Sequence, residues 1–361
     1  MAYLKNLNFY KNKNVLLLQG PRGPFFWWLK KDLEKAGAKV YKVNFNGGDL
    51  LFYPFECINF RKSLKHWRKF LEDIIDKYKI DIVLLFSDWR PWHKIACEVC
   101  KRKKIIVGSF EEGYIRPNYV TLELNGVNGY SVLCNQHIDY SKVNIPPKFI
   151  ENPNPIGNPF WHEVIWAILY YLAANILYPI FPRYRHHKSL YFPFCLYKEA
   201  LPWIRSIFRK YYYQIKEKEL KEYILKKLKN KYFLIPLQVH NDSQVVIHSD
   251  FSCVENFIKY VMNSFAIHAK KEHYLVFKHH PRDRGYKDYT KLIKNLAKEL
   301  RIERRVFYIH DCHLPTFIKN SLGVVLINST VGTQVLYHKK PLIALGKAIY
   351  NIEGLTYKGS L

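Results

Sequence analysis

Acidic residues are scarce in this chain: 30 Asp plus Glu stand against 57 Lys plus Arg, a formal net charge of +27 over 361 residues. A surplus of that size attracts polyanions, anionic lipid headgroups or phosphorylated substrates. A Lys-, Asn- and Tyr-rich composition also fits AT-rich coding, and Lys is spread along the chain rather than gathered in one arm or tail, unlike many nucleic-acid binders. The seven Cys are odd in number and irregularly spaced. The opening MAYLKNLNFYKNKN lacks the apolar core of a signal peptide. Together these favour a reducing cytoplasm and free thiols. The single C-x-x-C, Cys97 to Cys100, has no second pair to complete a zinc site. Low-complexity tracts and strict repeats are absent. So is G-x-x-x-x-G-K-[ST], which excludes a P-loop NTPase, and so are H-E-x-x-H and G-x-S-x-G. The first glycine turn, "GPRGPF", is not G-x-G-x-x-G, which disfavours a dinucleotide oxidoreductase. It reads either as a backbone approach to an acceptor or sugar, or as a tight turn.

What is present is a 48% hydrophobic chain, long enough for two domains. From Asn14 strands and helices alternate. "NVLLLQ" and "DIVLLF" are continuous apolar runs, as in strands buried on both faces, and "KVYKVNF" and "KIIVGSF" are strands between amphipathic stretches. The pattern restarts near Tyr232 with "YFLIPLQ", "YLVFKHH", "RVFYIHD", "GVVLIN" and "PLIALG". This is an α/β grammar of two Rossmann-like, doubly wound domains. The expected boundaries are 1–155, 156–230 and 231–361. Polar clusters recur at strand ends, where open parallel sheets bind ligands: Gly20 to Arg22, Ser87 to His93, Glu111 to Arg116, Gln238 to Ser243, His279 to Arg282 and Asn328 to Gly332.

Between the halves lies "VIWAILYYLAANILYPIFP", Val164 to Pro182, followed at once by basic residues. It barely reaches the ~20 residues of a spanning helix and contains Asn175 and Pro179. Two readings are open: a helix in the membrane interface, with aromatic residues at headgroup depth and cations on phosphates, or a buried helix bridging the domains.

Four constellations carry chemistry. In "SFEEGYIRP", Glu111 and Glu112 follow a buried strand, and adjacent residues on extended chain point to opposite sides. One carboxylate is expected to face substrate as base or nucleophile, while the other pairs with a cation such as Arg116, unless both are a cap or a surface ion pair. In "KHHPRDR", Pro281 restricts His280 to extended geometry, and Lys278, Arg282 and Arg284 add positive charge. That suits a phosphate, or is a basic surface turn. In "IPLQVHNDSQ", Gln238 and Asp242 offer an amide and a carboxylate for a base and a ribose. In "INSTVG", Ser329, Thr330 and the backbone amides to Gly332 would form an oxyanion cradle at a helix start.

FEEGYIRP, PLQVHNDSQ, FKHHPRD, NSTVGTQVLYHKKPLIALGKAIY and EGLT, in that order, resemble the bacterial capsule polysaccharide biosynthesis family, and within it the KpsS/LipB-type β-Kdo transferases (Kdo is 3-deoxy-D-manno-oct-2-ulosonic acid). The resemblance spans both α/β halves. It implies a GT-B-like fold in which the two domains face a cleft. It also implies a retaining glycosyltransferase that uses CMP-β-Kdo to build a Kdo linker on phosphatidylglycerol at the cytoplasmic face of the inner membrane.

The same resemblance makes Glu112 the catalytic carboxylate, base or nucleophile, and puts His280 on the CMP phosphate. Gln238 and Asp242 fall in the nucleotide loop, and Ser329, Thr330 and Gly332 where phosphate or the Kdo carboxylate would bind. Arg22, Asp88, Glu111 and Arg116 are supporting or acceptor residues. Gln334 departs from the Glu of many relatives. No Asp-x-Asp pair suits a metal, and no cofactor is expected. The 1–155 domain would take the acceptor, 231–361 the donor, and 156–230 the membrane interface. Expected partners are CMP-Kdo, the lipid acceptor, the anionic membrane surface and other capsule biosynthesis or export proteins, with no nucleic acid. The rival reading is a non-catalytic capsule assembly or export factor that keeps the fold.

Overall fold

The computed structural model describes residues 7–114, 119–134, 159–185 and 196–357. The chain divides into two compact units, Met1–Phe194 and Cys195–Leu361.

The first unit runs β1 (Asn14–Leu17), α1 (Phe25–Lys35), β2 (Lys39–Asn44), α2 (Gly47–Phe52), β3 (Ile58–Asn59), α3 (Trp67–Tyr78), β4 (Ile82–Phe86), α4 (Pro91–Lys103), β5 (Ile106–Glu112), β6 (Val120–Leu124) and α5 (Pro159–Ile176). Its six-stranded sheet has the order β3-β2-β1-β4-β5-β6. All pairings are parallel except β5 with β6. Val15, Leu16 and Leu17 of β1 and Val83, Leu84 and Leu85 of β4 are fully buried. Helices cover both faces of these central strands, so their apolar runs are continuous rather than alternating. Helices α3 and α4 end on left-handed Lys79 and Lys104, which turn the chain directly into the next strand.

Helix α5 is built into this unit. Tyr170 and Ala174, with Phe181 and Tyr184 beyond them, are buried in it. Two bare glycines of α2 let α5 approach: a Cβ on Gly47 would lie 2.3 Å from the Ala173 carbonyl oxygen, and one on Gly48 2.5 Å from the Tyr170 ring. The contact is sealed by a buried polar network. Gln19 Nε2 donates to Asp49 and to the hydroxyls of Tyr170 and Tyr184, and Tyr170 donates to Asp49 Oδ1 at 3.0 Å. The opposite face, with Ile165, Ile168, Leu169, Leu172 and Ile176, is exposed. Among the described residues no helix is long and apolar enough to cross a membrane.

The second unit runs α6 (Leu201–Lys216), α7 (Lys218–Lys227), β7 (Tyr232–Pro236), α8 (Ser243–His248), α9 (Val254–His268), β8 (Tyr274–Lys278), α10 (Thr290–Glu299), β9 (Val306–Ile309), α11 (Leu314–Lys319), β10 (Gly323–Leu326), α12 (Val331–Tyr337) and β11 (Leu342–Ala344). Its sheet is all parallel, in the order β11-β10-β7-β8-β9. Two doubly wound α/β units in succession are the GT-B-like organisation expected from the sequence. In each sheet the chain leaves the first strand in one direction and later returns to its other side. That puts a topological switch point between β1 and β4 in the first unit and between β7 and β10 in the second.

Candidate active site

At the β1/β4 switch point, Arg90 Nη1 donates to the Gly20 carbonyl at 3.3 Å and ties the two strand-end loops together. Ser87, directly after β4, has a φ of 70°. A left-handed non-glycine residue costs of order 1–3 kcal/mol and persists only where its surroundings hold it. Here its carbonyl lies 2.6 Å from His93 Nδ1, its N–H donates to Phe110 O, and its hydroxyl donates to Glu111 Oε2 at 3.1 Å. His93 is fully buried, and burial lowers its pKa to about 3. The neutral ring therefore donates from Nδ1, and its Nε2 has no partner among the described residues. Asp88 is buried with Oδ2 accepting from the Val127 N–H at 2.9 Å, while Oδ1 has no hydrogen-bond partner among the described residues. Burial raises its pKa.

The neighbouring carboxylates of β5 part company, as their positions on extended chain require. Glu111 is half-buried and accepts from Ser87 Oγ, from Asn128 Nδ2 at 3.4 Å and from the Glu112 N–H at 3.1 Å. Burial raises its pKa. Glu112 is exposed. Arg116, the cation expected beside them, lies outside the described residues. Arg22 is turned elsewhere: its guanidinium sits 3.6 Å from Glu163 and donates to Tyr171 of α5.

In the second unit Gln238 and Asn328 span the β7/β10 switch point. Gln238 Nε2 also donates to Asp242 Oδ2 at 3.1 Å, and Asp242 Oδ1 caps α8 through the Gln244 N–H. Both candidate nucleotide contacts thus also serve the fold, and the Asp242 carboxylate keeps lone pairs to accept a further donor.

His280 is half-buried at the start of a 3-10 turn, Pro281–Asp283, and its Nδ1 accepts from the Arg282 N–H at 3.2 Å. With Nδ1 an acceptor, a neutral imidazole carries its proton on Nε2. The expected halo of cations is reshaped. Arg284 is buried and paired with Asp311. Burial lowers the Lys278 pKa to about 8, and Arg282 is exposed.

At the β10–α12 turn, Ser329 Oγ accepts from the Val331 N–H, Ser329 O from the Gly332 N–H and Thr330 O from the Thr333 N–H. These amides are engaged inside the turn. Ser329 keeps its hydroxyl hydrogen to donate. Gly332 packs against Tyr350, whose ring would lie 2.3 Å from an added Cβ.

Sequence reasoning missed an ionic cluster around the buried His310, directly after β9. His310 Nδ1 lies 2.6 Å from Glu217 and Nε2 3.5 Å from Asp288. Burial opposes protonation, but the two carboxylates outweigh it and raise the His310 pKa. Only the position of His310 at a strand's carboxyl end could have flagged it. Asp283, fully buried and accepting from the His240 N–H, was also missed. No group of three His, Cys, Asp or Glu among the described residues could hold a metal ion.

Residues 81–361 match the family described as "Capsule polysaccharide biosynthesis protein". The capsule polysaccharide export protein KpsS of Escherichia coli is 41% identical over 356 residues, which cover 97% of this chain and 88% of that protein. The capsule polysaccharide modification protein LipB of Neisseria meningitidis serogroup A is 38% identical, covering 97% and 84%. Among solved structures, Thermosulfurimonas dismutans KpsC, a beta Kdo 2,7 transferase, aligns over 95% of this chain and 82% of its own at 14% identity, with a TM-score of 0.42. Matched over most of its length by that family and by two of its proteins, the chain belongs to the capsule polysaccharide biosynthesis family.

Proposed function

We propose that the chain is a retaining β-Kdo glycosyltransferase that uses CMP-β-Kdo to build the Kdo linker on phosphatidylglycerol for capsular polysaccharide. The observation that carries this reading is the division of labour between Glu111 and Glu112. One carboxylate is locked into the strained Ser87 turn, and its neighbour stands exposed at the end of β5. The motif resemblance supplies Kdo, and the capsule names of the relatives support the setting.

Donor binding falls to the second unit. His280 Nε2–H donates to the CMP phosphate, and the Ser329 and Thr330 hydroxyls meet a second anionic group. Gln238 and Asp242 frame the nucleotide, and protein cations balance the leaving phosphate without a metal. The Glu112 carboxylate oxygen attacks the anomeric C2 of Kdo, the C2–O bond to CMP breaks, and CMP leaves with the electron pair. The acceptor hydroxyl then attacks C2, the glycosyl ester to Glu112 breaks, and the hydroxyl proton passes to solvent. Two inversions give retention. The exposed apolar face of α5, with exposed Arg183 and Arg185 beyond it, rests on the anionic inner face of the inner membrane.

The test is CMP release from CMP-β-Kdo by the purified chain, with and without phosphatidylglycerol, together with mass analysis of the lipid. Acceptor-dependent release and a Kdo-lipid product are expected. Release equal to that of buffer alone would favour a non-catalytic assembly factor.

A further inference from the structure

Helix α6 is turned inside out. An amphipathic helix on a globular protein normally buries its apolar stripe and exposes its charges. On α6 the polar side faces the protein. Arg205 Nη1 donates to Gly285 O at 3.5 Å and Arg209 Nη1 to Arg284 O at 2.7 Å. Tyr213 lies flat on His310, with centroids 3.6 Å apart and planes 4° from parallel, and its hydroxyl donates to Asp288. Gln214 Nε2 donates to Asp311 at 3.0 Å. The approach is so close that a Cβ on Gly285 would lie 1.7 Å from the Pro202 carbonyl oxygen.

The apolar side faces solvent. Leu201, Ile204, Phe208, Tyr211 and Ile215, spaced three and four apart along one stripe, are each between 43% and 80% exposed. Tyr212 and Trp203 extend the aromatic surface.

Charge decides what covers this stripe. Of the four cations of Leu201–Lys216, Arg205 and Arg209 reach inward to backbone carbonyls, while Lys210 and Lys216 are exposed, and the helix has no acidic residue. A second copy of the helix would bring like charges together. An anionic lipid surface complements them, and Phe, Tyr and Trp suit headgroup depth. The segment that α6 grips, Arg284–Gly285, directly continues the turn that begins at His280. A force on α6 therefore bears on the proposed phosphate contact.

We infer that α6 docks on an anionic lipid surface and acts as a lever on the Arg284–Gly285 segment, so that lipid docking and nucleotide binding in the second unit strengthen each other. The lever half rests on the donor reading given above; the docking half stands without it. By linkage, whatever factor the lipid adds to nucleotide affinity, the nucleotide adds to lipid affinity.

The test uses the full chain with CMP and vesicles of phosphatidylcholine, alone or with phosphatidylserine. The latter is anionic but is not the proposed acceptor, so binding reports docking and not acceptor capture. Expected results are sedimentation with phosphatidylserine vesicles only, and CMP affinity raised roughly threefold to tenfold on them. In F208E/I215E, whose sites are exposed and whose circular dichroism should match the parent, vesicle binding should fall at least tenfold. CMP affinity without vesicles should be unchanged, and the vesicle effect on CMP should vanish. Unchanged vesicle binding by the variant overturns the docking. CMP affinity indifferent to vesicles in the parent overturns the lever. A dimer that the variant dissolves would assign the stripe to a second copy and overturn the lipid assignment. Vesicle binding without any CMP binding would leave docking intact and remove the donor reading.

Discussion

Gln238 and Asn328 are joined twice across the switch point of the second sheet: Gln238 Nε2 donates to Asn328 Oδ1 at 3.1 Å, and the Asn328 N–H donates to Gln238 Oε1 at 3.3 Å. Asn328 then reaches the Gln244 and His248 carbonyls through Nδ2. This pair closes the base of the proposed nucleotide site. Gln238→Ala leaves buried groups unsatisfied, a loss of about 1–3 kcal/mol. Urea unfolding should show that loss, and CMP affinity should fall with it.

His280→Ala should separate binding from folding. The side chain is half-buried and caps only a short turn, so stability should drop by about 1 kcal/mol or less. CMP affinity, read by calorimetry, should fall at least tenfold. Unchanged affinity would remove His280 from the phosphate.

Stability should peak near pH 6.5 as far as these histidines govern it. Burial lowers the His93 and His279 pKa values to about 3 each. Below the ordinary value of 6.5 the unfolded chain takes up protons that the folded chain refuses. Each residue then removes about 1.4 kcal/mol per pH unit as pH falls toward 3. His310 has the opposite sign. Its raised folded pKa contributes stability that is complete below 6.5 and is lost as pH rises through the folded value. Urea midpoints from pH 5 to 8 test this, and His93→Gln should flatten the acid limb.

Gly48→Ala should collide with the Tyr170 ring and loosen α5 from the first unit, at a cost of about 1–3 kcal/mol. Ile168→Lys on the outer face of α5 should leave the melting temperature within about 2 °C of the parent while reducing sedimentation with anionic vesicles. A stable Gly48→Ala protein would contradict the tight α2–α5 contact.

The alternation of strand and helix was legible because the buried strands β1, β4, β7, β8 and β10 read as continuous apolar runs. The edge strands of the first sheet were not, although β9 and β11 at the edges of the second were. β3 has two residues, and β6, antiparallel at the sheet's end, carries Glu123 amid apolar residues because that side chain accepts from Tyr114. Periodicity finds a stripe on α6 but cannot say which side turns inward, since that depends on partners such as His310 and Gly285. The 156–230 segment is divided in the same way: α5 packs in the first unit, and α6 and α7 belong to the second. Strand-end logic put Ser87, Asp88, Glu111, Gln238 and His280 at the carboxyl ends of strands, where the structure has them. It could not foresee that Arg22 pairs with Glu163, or that Arg284 is taken by Asp311, because those partners are distant in sequence.

The central claim is that Glu112 is the nucleophile. Intact-mass measurement after incubation with CMP-β-Kdo alone tests it most directly. A Kdo adduct on the parent, located on Glu112 by peptide mapping and absent from Glu112→Gln, is the predicted result. That variant should still bind CMP while transfer falls by orders of magnitude. An adduct on Glu111 or Asp88, or near-normal transfer by Glu112→Gln, would contradict the account.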